Sequence, residues 1–455
     1  MIISPSICKA FENAPGFNAD AFCNIHASDE QISSIRINPA KLNDLSDLSF
    51  SVESPVPWCN NGWYLNERPF YTFDPLLHAG AYYVQEASSM FLEQALKQTL
   101  DCSVPLKVLD LCAAPGGKST HIQSVLSPGS VLVSNEVIRS RAAILEENIT
   151  KWGGANVIVT NNDPRDFSRF NALFHAIVVD APCSGSGMFR KDASAAENWS
   201  ADLVALCSQR QQRILADIWP SLKEDGILVY ATCSYSVEED EMIADFIIEE
   251  LNAESIPLSI ESDWNIVSSN SPKHNATGYR FYPYNLKGEG FYLGVFKKTS
   301  GGDTFRKKPA APKWETLAKS SYPILERWLS VKDMRFISIN DSILALTQPM
   351  EETLLQLQSL YIKRAGITMG KMVGKELIPD HSLALSTLAN PSISSIELDR
   401  DLALQFLRKE EIRVGDVPKG WTITRYKNHP MGWIKVLTNR INNYYPKEWR
   451  ILKPA

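Results

Sequence analysis

The chain lacks any run of roughly 18 uncharged apolar residues, so no membrane span is expected. Met1 to Ala10 lacks a cationic flank followed by an apolar stretch, so no secretory signal is expected there. The eight cysteines, at 8, 23, 59, 102, 112, 183, 207 and 233, include no CxxC pair. That spacing argues against zinc or any other metal and, in a chain this long, against a disulfide framework; the expected compartment is the reducing cytoplasm. Nor is there an excess of positive charge: 46 Lys and Arg against 52 Asp and Glu leave −6. Any nucleic-acid surface must then be a local patch on an acidic body. Repeats and low-complexity tracts are also missing. What remains is an ordinary globular composition, 44% apolar and 22% charged over 455 residues, enough for about three domains.

Residues 1–95 are mixed and aromatic-rich, with Trp58 to Tyr64 reading as a turn between short strands and Gly80 to Met90 leading into a helix. From Leu106 short apolar runs alternate with helical stretches, the pattern of a parallel α/β sheet. Strands are expected at 107–111, 131–135, 157–160, 176–180, 227–232 and 291–296, with helices at 118–126, 139–151, 199–219 and 237–252. Ser236 and Glu239 have capping-box spacing before the last helix, and the acids 238–241 read as solvated first-turn charge. The final strand follows a long irregular stretch, 254–290. The expected organisation is an N-terminal unit (1–95), a sheet domain (96–298), a Gly/Pro/Lys-rich linker (299–313), a small mixed unit (314–390) and a compact basic unit (391–455).

The turn Cys112-Ala-Ala-Pro-Gly-Gly-Lys118 joins a buried strand to a helix. Cys112, Ala113, Ala114, Pro115, Gly116, Gly117 and Lys118 make a small-residue cradle in which a ligand can approach the backbone and the positive helix end. Glycine spacing alone is weak, for this is neither GxGxxG nor a Walker loop. Glu136 ends the next strand twenty residues after Gly116, where an acid can hold both ribose hydroxyls. Asp163 follows the third strand and Asp180 ends the fourth. Carboxylates this dense would repel a pyrophosphate. A nucleoside without phosphates, S-adenosylmethionine, suits the site.

Cys183, in Asp180-Ala-Pro-Cys-Ser-Gly-Ser-Gly187, and Cys233, in Thr232-Cys-Ser-Tyr235, both follow strand ends on that rim. Most cytosolic cysteines fill cores, a reading that suits Cys207 but not two thiols in polar loops. A thiolate can add to C6 of a pyrimidine and make C5 electron-rich, the partner a methyl sulfonium requires. Asp180 is placed to stabilise the charge gathering in the ring. These residues alone do not decide which thiol adds.

Asp110-Leu-Cys-Ala-Ala-Pro-Gly-Gly-Lys118, Asp180-Ala-Pro-Cys-Ser-Gly-Ser-Gly-Met188 and Ala231-Thr-Cys-Ser-Tyr235 resemble three signature motifs of the RNA cytosine-C5 methyltransferases, the NOL1/NOP2/Sun family. Ser34 to Lys41 and Tyr82 to Met90 resemble its N-terminal, RNA-facing part. Arg364 to Ile367, Gly420 to Lys427 and Asn443 to Arg450 are similar to the C-terminal extension of the family's bacterial branch acting on 16S rRNA. The resemblance implies a Rossmann-like S-adenosylmethionine-dependent sheet with an N-terminal RNA-facing extension and a C-terminal PUA-like module. It further implies Cys233 as nucleophile, Cys183 as the thiol that assists release, and 112–118, Glu136, Asp163 and Asp180 as cofactor contacts. The product implied is 5-methylcytosine in small-subunit ribosomal RNA, made by a monomer acting on the RNA or the small ribosomal subunit. The alternatives are a tRNA cytosine-C5 methyltransferase and a ribosome-assembly RNA-binding protein in which methylation is secondary.

Between Arg413 and Ala455, nine Lys and Arg stand against two acids, a balance of +7 in a chain of net −6. Aromatics are interleaved with them. Cations bind phosphates and aromatic faces stack splayed bases, which makes Trp421, Arg425, Lys427, Trp433 and Lys435 the expected RNA-binding residues. The plainer reading makes the aromatics the core of a small β unit.

Overall fold

The computed structural model describes residues 3–28, 30–300, 311–415 and 417–453. Of the linker expected at 299–313, residues 301–310 lie outside the described residues. No helix among the described residues is long and apolar enough to cross a membrane.

The centre is a mixed sheet whose parallel strands are Lys107–Asp110, Val131–Asn135, Val157–Thr160, Phe174–Asp180 and Leu222–Thr232. Leu222–Thr232 and Phe174–Asp180 lie on one side of Lys107–Asp110, and Val131–Asn135 and Val157–Thr160 on the other. The strand order therefore reverses at Lys107–Asp110, and ligands bind outside strand C-termini at such a point. These strands read as continuous apolar runs because helices cover both faces: Val131–Asn135 and Val157–Thr160 are buried at every position. Helix Gly117–Val125 starts from Gly116, whose φ of +116° is open to glycine but strained for other residues. Ser200 caps helix Ala201–Ile218 by accepting from Leu203 N.

Two stretches depart from expectation. Within 254–290 lie strands Val267–Asn270 and Thr277–Phe281, which pair antiparallel and extend the sheet beyond Phe291–Lys298. Antiparallel neighbours need only a tight turn, so no crossover helix is required. At the opposite edge, Ile362–Ala365 pairs antiparallel with Val157–Thr160. The unit read at 314–390 therefore contributes a strand to the central sheet as well as forming its own, and its Met350, Leu354 and Leu357 share a core with Leu109 and Ile158.

The N-terminal strands Ser34–Ile37, Val52–Pro55, Gly62–Leu65 and Tyr82–Val84 make a four-stranded antiparallel sheet. The segment expected to face RNA turns its cations inward. Arg36, 0% exposed, donates to Gln85 Oε1 at 2.8 Å and Thr120 Oγ1 at 2.6 Å, and lies over the Trp152 ring. Lys41 Nζ donates to the carbonyls of Ala79 and Lys151, and burial pulls its pKa down to about 7. The two cations dock this sheet on helices Gly117–Val125 and Arg139–Trp152. Its other face shares a core with the C-terminal unit, where Ile35, Leu42 and Leu76 pack with Leu404, Phe406 and Ile434.

Candidate active site

Two cavities open along the strand C-termini. One, about 450 Å³, is lined by Cys112, Ala114, Asn135, Glu136, Ile138, Arg141, Asp163, Asp180, Cys183, Arg210, Arg213 and Cys233, among others. The second, about 430 Å³, is lined by Tyr83, Gln85, Ala113, Pro115, Gly117, Lys118, Asp180, Lys191, Cys233, Glu289 and Phe291, among others. Cys112, Ala114, Asp180 and Cys233 belong to both. A methyl donor in the first and a base in the second would meet at Asp180 and Cys233.

The first cavity suits a nucleoside with a cationic end. Glu136 is 3% exposed, and its Oε1 accepts from Ile138 N at 2.9 Å. Arg141, which sequence reading passed over, lies 3.6 Å from Glu136 Oε2 and donates to Ala114 O at 2.8 Å, bracing the turn. Asp163 caps the short turn Pro164–Phe167 and lies 3.7 Å from Arg213. It is therefore both a cap and a wall of the cavity. Arg210 and Arg213, three apart on helix Ala201–Ile218, share one face, a spacing that could have flagged them. Asp110, fully buried, accepts from Ser119 Oγ at 2.6 Å, and burial pushes its pKa up to about 7. The turn expected to face the cofactor is thus shared: Cys112 and Ala114 face both cavities, Ala113, Pro115, Gly117 and Lys118 face the second, and Gly116 supplies the bend. Burial first, then Glu136, raises the Cys112 thiol, which stays protonated.

The sulfurs of Cys183 and Cys233 are 3.2 Å apart. The hydrogen bond with Cys233, then burial, raises Cys183 well above the ordinary thiol range. Lys118 Nζ donates to Asp180 Oδ2 at 2.7 Å. Burial opposes the charge on Lys118, but Asp180, and more weakly Asp110 and Cys233, hold its pKa above the usual value. Glu289, another residue the sequence did not single out, is buried with its carboxyl pushed up to about 7.

The capping box is not formed. Ser236 makes no cap bond, and its buried hydroxyl has no partner. Glu239 instead accepts from Ser184 N, Ser184 Oγ, Ser234 Oγ and Gln211 Nε2. The run 238–241 is solvated only at Glu238; Glu239, Asp240 and Glu241 are at most 1% exposed. Asp240 and Glu241 face buried Arg280, which offsets their charge.

The tail residues need correction. Trp433 is 1% exposed and donates to Asp380 O at 2.8 Å, and Trp421 packs in the same core. Neither offers a face for stacking, because so small a β unit needs its largest side chains inside. Lys435 lies over the Trp421 ring, Lys427 donates to Asp47 O, and Arg425 donates to Asn428 O. Arg425 and Lys435 bind within the unit, and Lys427 ties it to the N-terminal unit. The exposed cations are Arg413, Lys419, Arg440, Lys447 and Lys453.

Cysteine spacing gave no metal ligands, yet the fold gathers Cys59, Glu93 and His121, all buried, with ligand atoms within 4.8 Å of one another. Glu93 there accepts from Asn60 N and Lys97 Nζ on one oxygen and meets Cys59 and His121 on the other.

A family model described as 16S rRNA methyltransferase RsmB/F matches residues 97–297. The N-terminal domain of 16S rRNA methyltransferase RsmF matches 5–87, and the methyltransferase RsmF PUA domain matches 393–451. Ribosomal RNA small subunit methyltransferase F of Shewanella woodyi is 29% identical over 450 residues, covering 91% of this chain and 90% of its own. The protein of that name from Shewanella piezotolerans is 28% identical, with the same coverage. A methyltransferase homologue from Pyrococcus horikoshii superposes with a TM-score of 0.53 at 26% identity, over 65% of this chain and 100% of its own. NSun6 from Pyrococcus horikoshii, solved with SFG, an S-adenosylmethionine analogue, has the same fold, with a TM-score of 0.55 at 18% identity over 65% and 98%. Sheet, flanking units and PUA module together show that the chain belongs to the 16S rRNA methyltransferase RsmB/F family.

Proposed function

We propose that this chain uses S-adenosylmethionine to form 5-methylcytosine in small-subunit ribosomal RNA, through a covalent bond between Cys233 and C6 of the base. The observation that carries this reading is the meeting of two cavities at Asp180 and Cys233, with a second thiol 3.2 Å from the first. The names of the RsmF relatives support the choice of RNA.

When bound, S-adenosylmethionine supplies a methyl group on a sulfonium. Glu136 would hold the ribose hydroxyls, Ile138 and Ile214 would supply apolar walls for the adenine, and Asp163 with Asp180 would add negative charge toward the cationic end. On the base side, Cys233 adds as the thiolate, forming the S–C6 bond while the electron pair of the C5–C6 bond moves to C5 and N3. Lys118, held by Asp180, supplies positive charge beside both the thiolate and the electron-rich ring. C5 takes the methyl group. Release then passes the C5 proton to water in the base-side cavity, the C5–H electron pair restores the C5–C6 double bond, and the C6–S bond breaks to expel the Cys233 thiolate. The hydrogen bond with Cys233, then burial, raises the Cys183 thiol. The resemblance of Thr232-Cys233-Ser234 and Pro182-Cys183-Ser184 to the family motifs assigns attack to Cys233 and assistance in release to Cys183.

Bisulfite sequencing of total RNA from cells with and without the chain tests the reading. Loss of 5-methylcytosine at one or more 16S rRNA positions is expected. Loss confined to tRNA would transfer the activity there, and an unchanged map would reduce the chain to an RNA-binding protein.

A further inference from the structure

Cys183 and Cys233 stand on loops fifty residues apart in the chain, yet their sulfurs nearly touch. Each is followed by a serine, and both hydroxyls donate to one oxygen of one carboxylate, Oε2 of Glu239, at 2.5 Å from Ser184 and 2.7 Å from Ser234. Oε1 accepts from Ser184 N at 2.8 Å and from Gln211 Nε2 at 3.1 Å. Gln211 also donates to the carbonyl of Pro182, the residue before Cys183. Glu239 and Gln211 are 0% exposed, and both serines are buried.

The carboxylate reaches this position by giving up its local role. Capping its own turn would pair it with Ser236, whose hydroxyl is left buried and without a partner. An ionised carboxylate out of water is costly unless its lone pairs are filled, and here four donors fill them. Three of the four come from residues adjoining the cysteines, one loop supplying two and the other one. Two cross-links lie farther along the loops, Gly187 N to Cys233 O and Tyr235 N to Ser186 Oγ, both 2.8 Å.

We propose that Glu239 is a positioning residue that clamps the two cysteine loops and holds the Cys183 thiol against Cys233, so that it governs release of the methylated base more than attack on it. The proposal rests on the roles given to the two thiols above.

Glu239→Gln tests it with little change of shape: the charge is lost, and the amide nitrogen either faces the Ser184 N–H, donor against donor, or faces the two hydroxyls, which must then turn to accept and no longer bind a carboxylate. Three readouts are taken on the full chain. Diamide removes two electrons and two protons from a thiol pair, leaving a disulfide and the hydrazine, and peptide mapping follows the Cys183–Cys233 product. Denaturing electrophoresis with 16S rRNA and S-adenosylmethionine follows the covalent conjugate, and calorimetry follows cofactor affinity. In Glu239→Gln the Cys183–Cys233 disulfide should form about tenfold more slowly, in proportion to one lost charged hydrogen bond. Conjugate should accumulate as in Cys183→Ala, with cofactor affinity near wild type. A folded Glu239→Gln protein that forms the disulfide at the wild-type rate and releases RNA normally overturns the proposal. Should Glu239→Gln fail to fold, Ser184→Ala and Ser234→Ala decide by the same readouts. If Cys183→Ala itself leaves no conjugate, the release role of Cys183 fails, while the disulfide rate still decides the clamp.

Discussion

Replacing Glu136 by alanine separates a cofactor contact from a folding contact, and the structure sets both magnitudes. The carboxylate is 3% exposed, accepts from Ile138 N at 2.9 Å and stands 3.6 Å from Arg141. For folding, the loss is one backbone acceptor, about 1 kcal/mol. Water softens that loss, since Ile138 is 49% exposed. For the cofactor, a diol held by one carboxylate makes two charge-assisted hydrogen bonds. After water refills the cavity, their removal costs about 1–3 kcal/mol, or roughly 5- to 150-fold in Kd. Titration of S-adenosylmethionine by calorimetry should show that loss, with a fall in Tm of a few degrees at most. Wild-type affinity in the variant would remove Glu136 from the cofactor site. A collapse of Tm would show that its role is in folding.

The two loop thiols should part company: Cys183→Ala accumulates an RNA conjugate that survives denaturing electrophoresis, whereas Cys233→Ala and the double variant show none, and the opposite pattern reverses their roles. Arg36→Met leaves the buried acceptors Gln85 Oε1 and Thr120 Oγ1 without their donor and should cost about 3–5 kcal/mol in urea unfolding; a loss under about 1 kcal/mol would show that this docking is dispensable. A chain ending at Thr299 loses the edge strand Ile362–Ala365, so Tm and cofactor affinity should fall together, and an unchanged Tm would contradict the shared core. Burial raises the Glu289 carboxyl from 4.5 to about 7. Below about pH 4.5 both states hold the proton and no penalty exists; between there and about pH 7 the unfolded state ionises first and stability drains away. Glu289→Gln should therefore gain on wild type as pH rises through that window, and parallel stability curves would refute the assignment.

The strands were legible because a buried parallel sheet writes unbroken apolar runs into the chain. Val131–Asn135 and Val157–Thr160 fall where the pattern puts them. The acids at strand ends were legible for the same reason, since alternation of strand and helix alone brings strand C-termini to one rim. Glu136, Asp163 and Asp180 share a cavity accordingly. Long-range pairing leaves no such local mark. A Ser-x-x-Glu spacing reads as a cap whether or not the carboxylate turns to another loop, and Glu239 turns. The segment Ser34 to Lys41 was expected to face RNA by resemblance, and only the fold shows its Arg36 and Lys41 bound to Thr120 and to the Lys151 carbonyl on two helices distant in sequence. Trp421 and Trp433 look like stacking platforms until a small β unit has to close its core. Order along the chain determined which residues end the strands and so which side chains reach the rim. Only tertiary packing decided which buried charges were matched and how near the two sulfurs stand, because partners distant in sequence meet only once the intervening chain is closed.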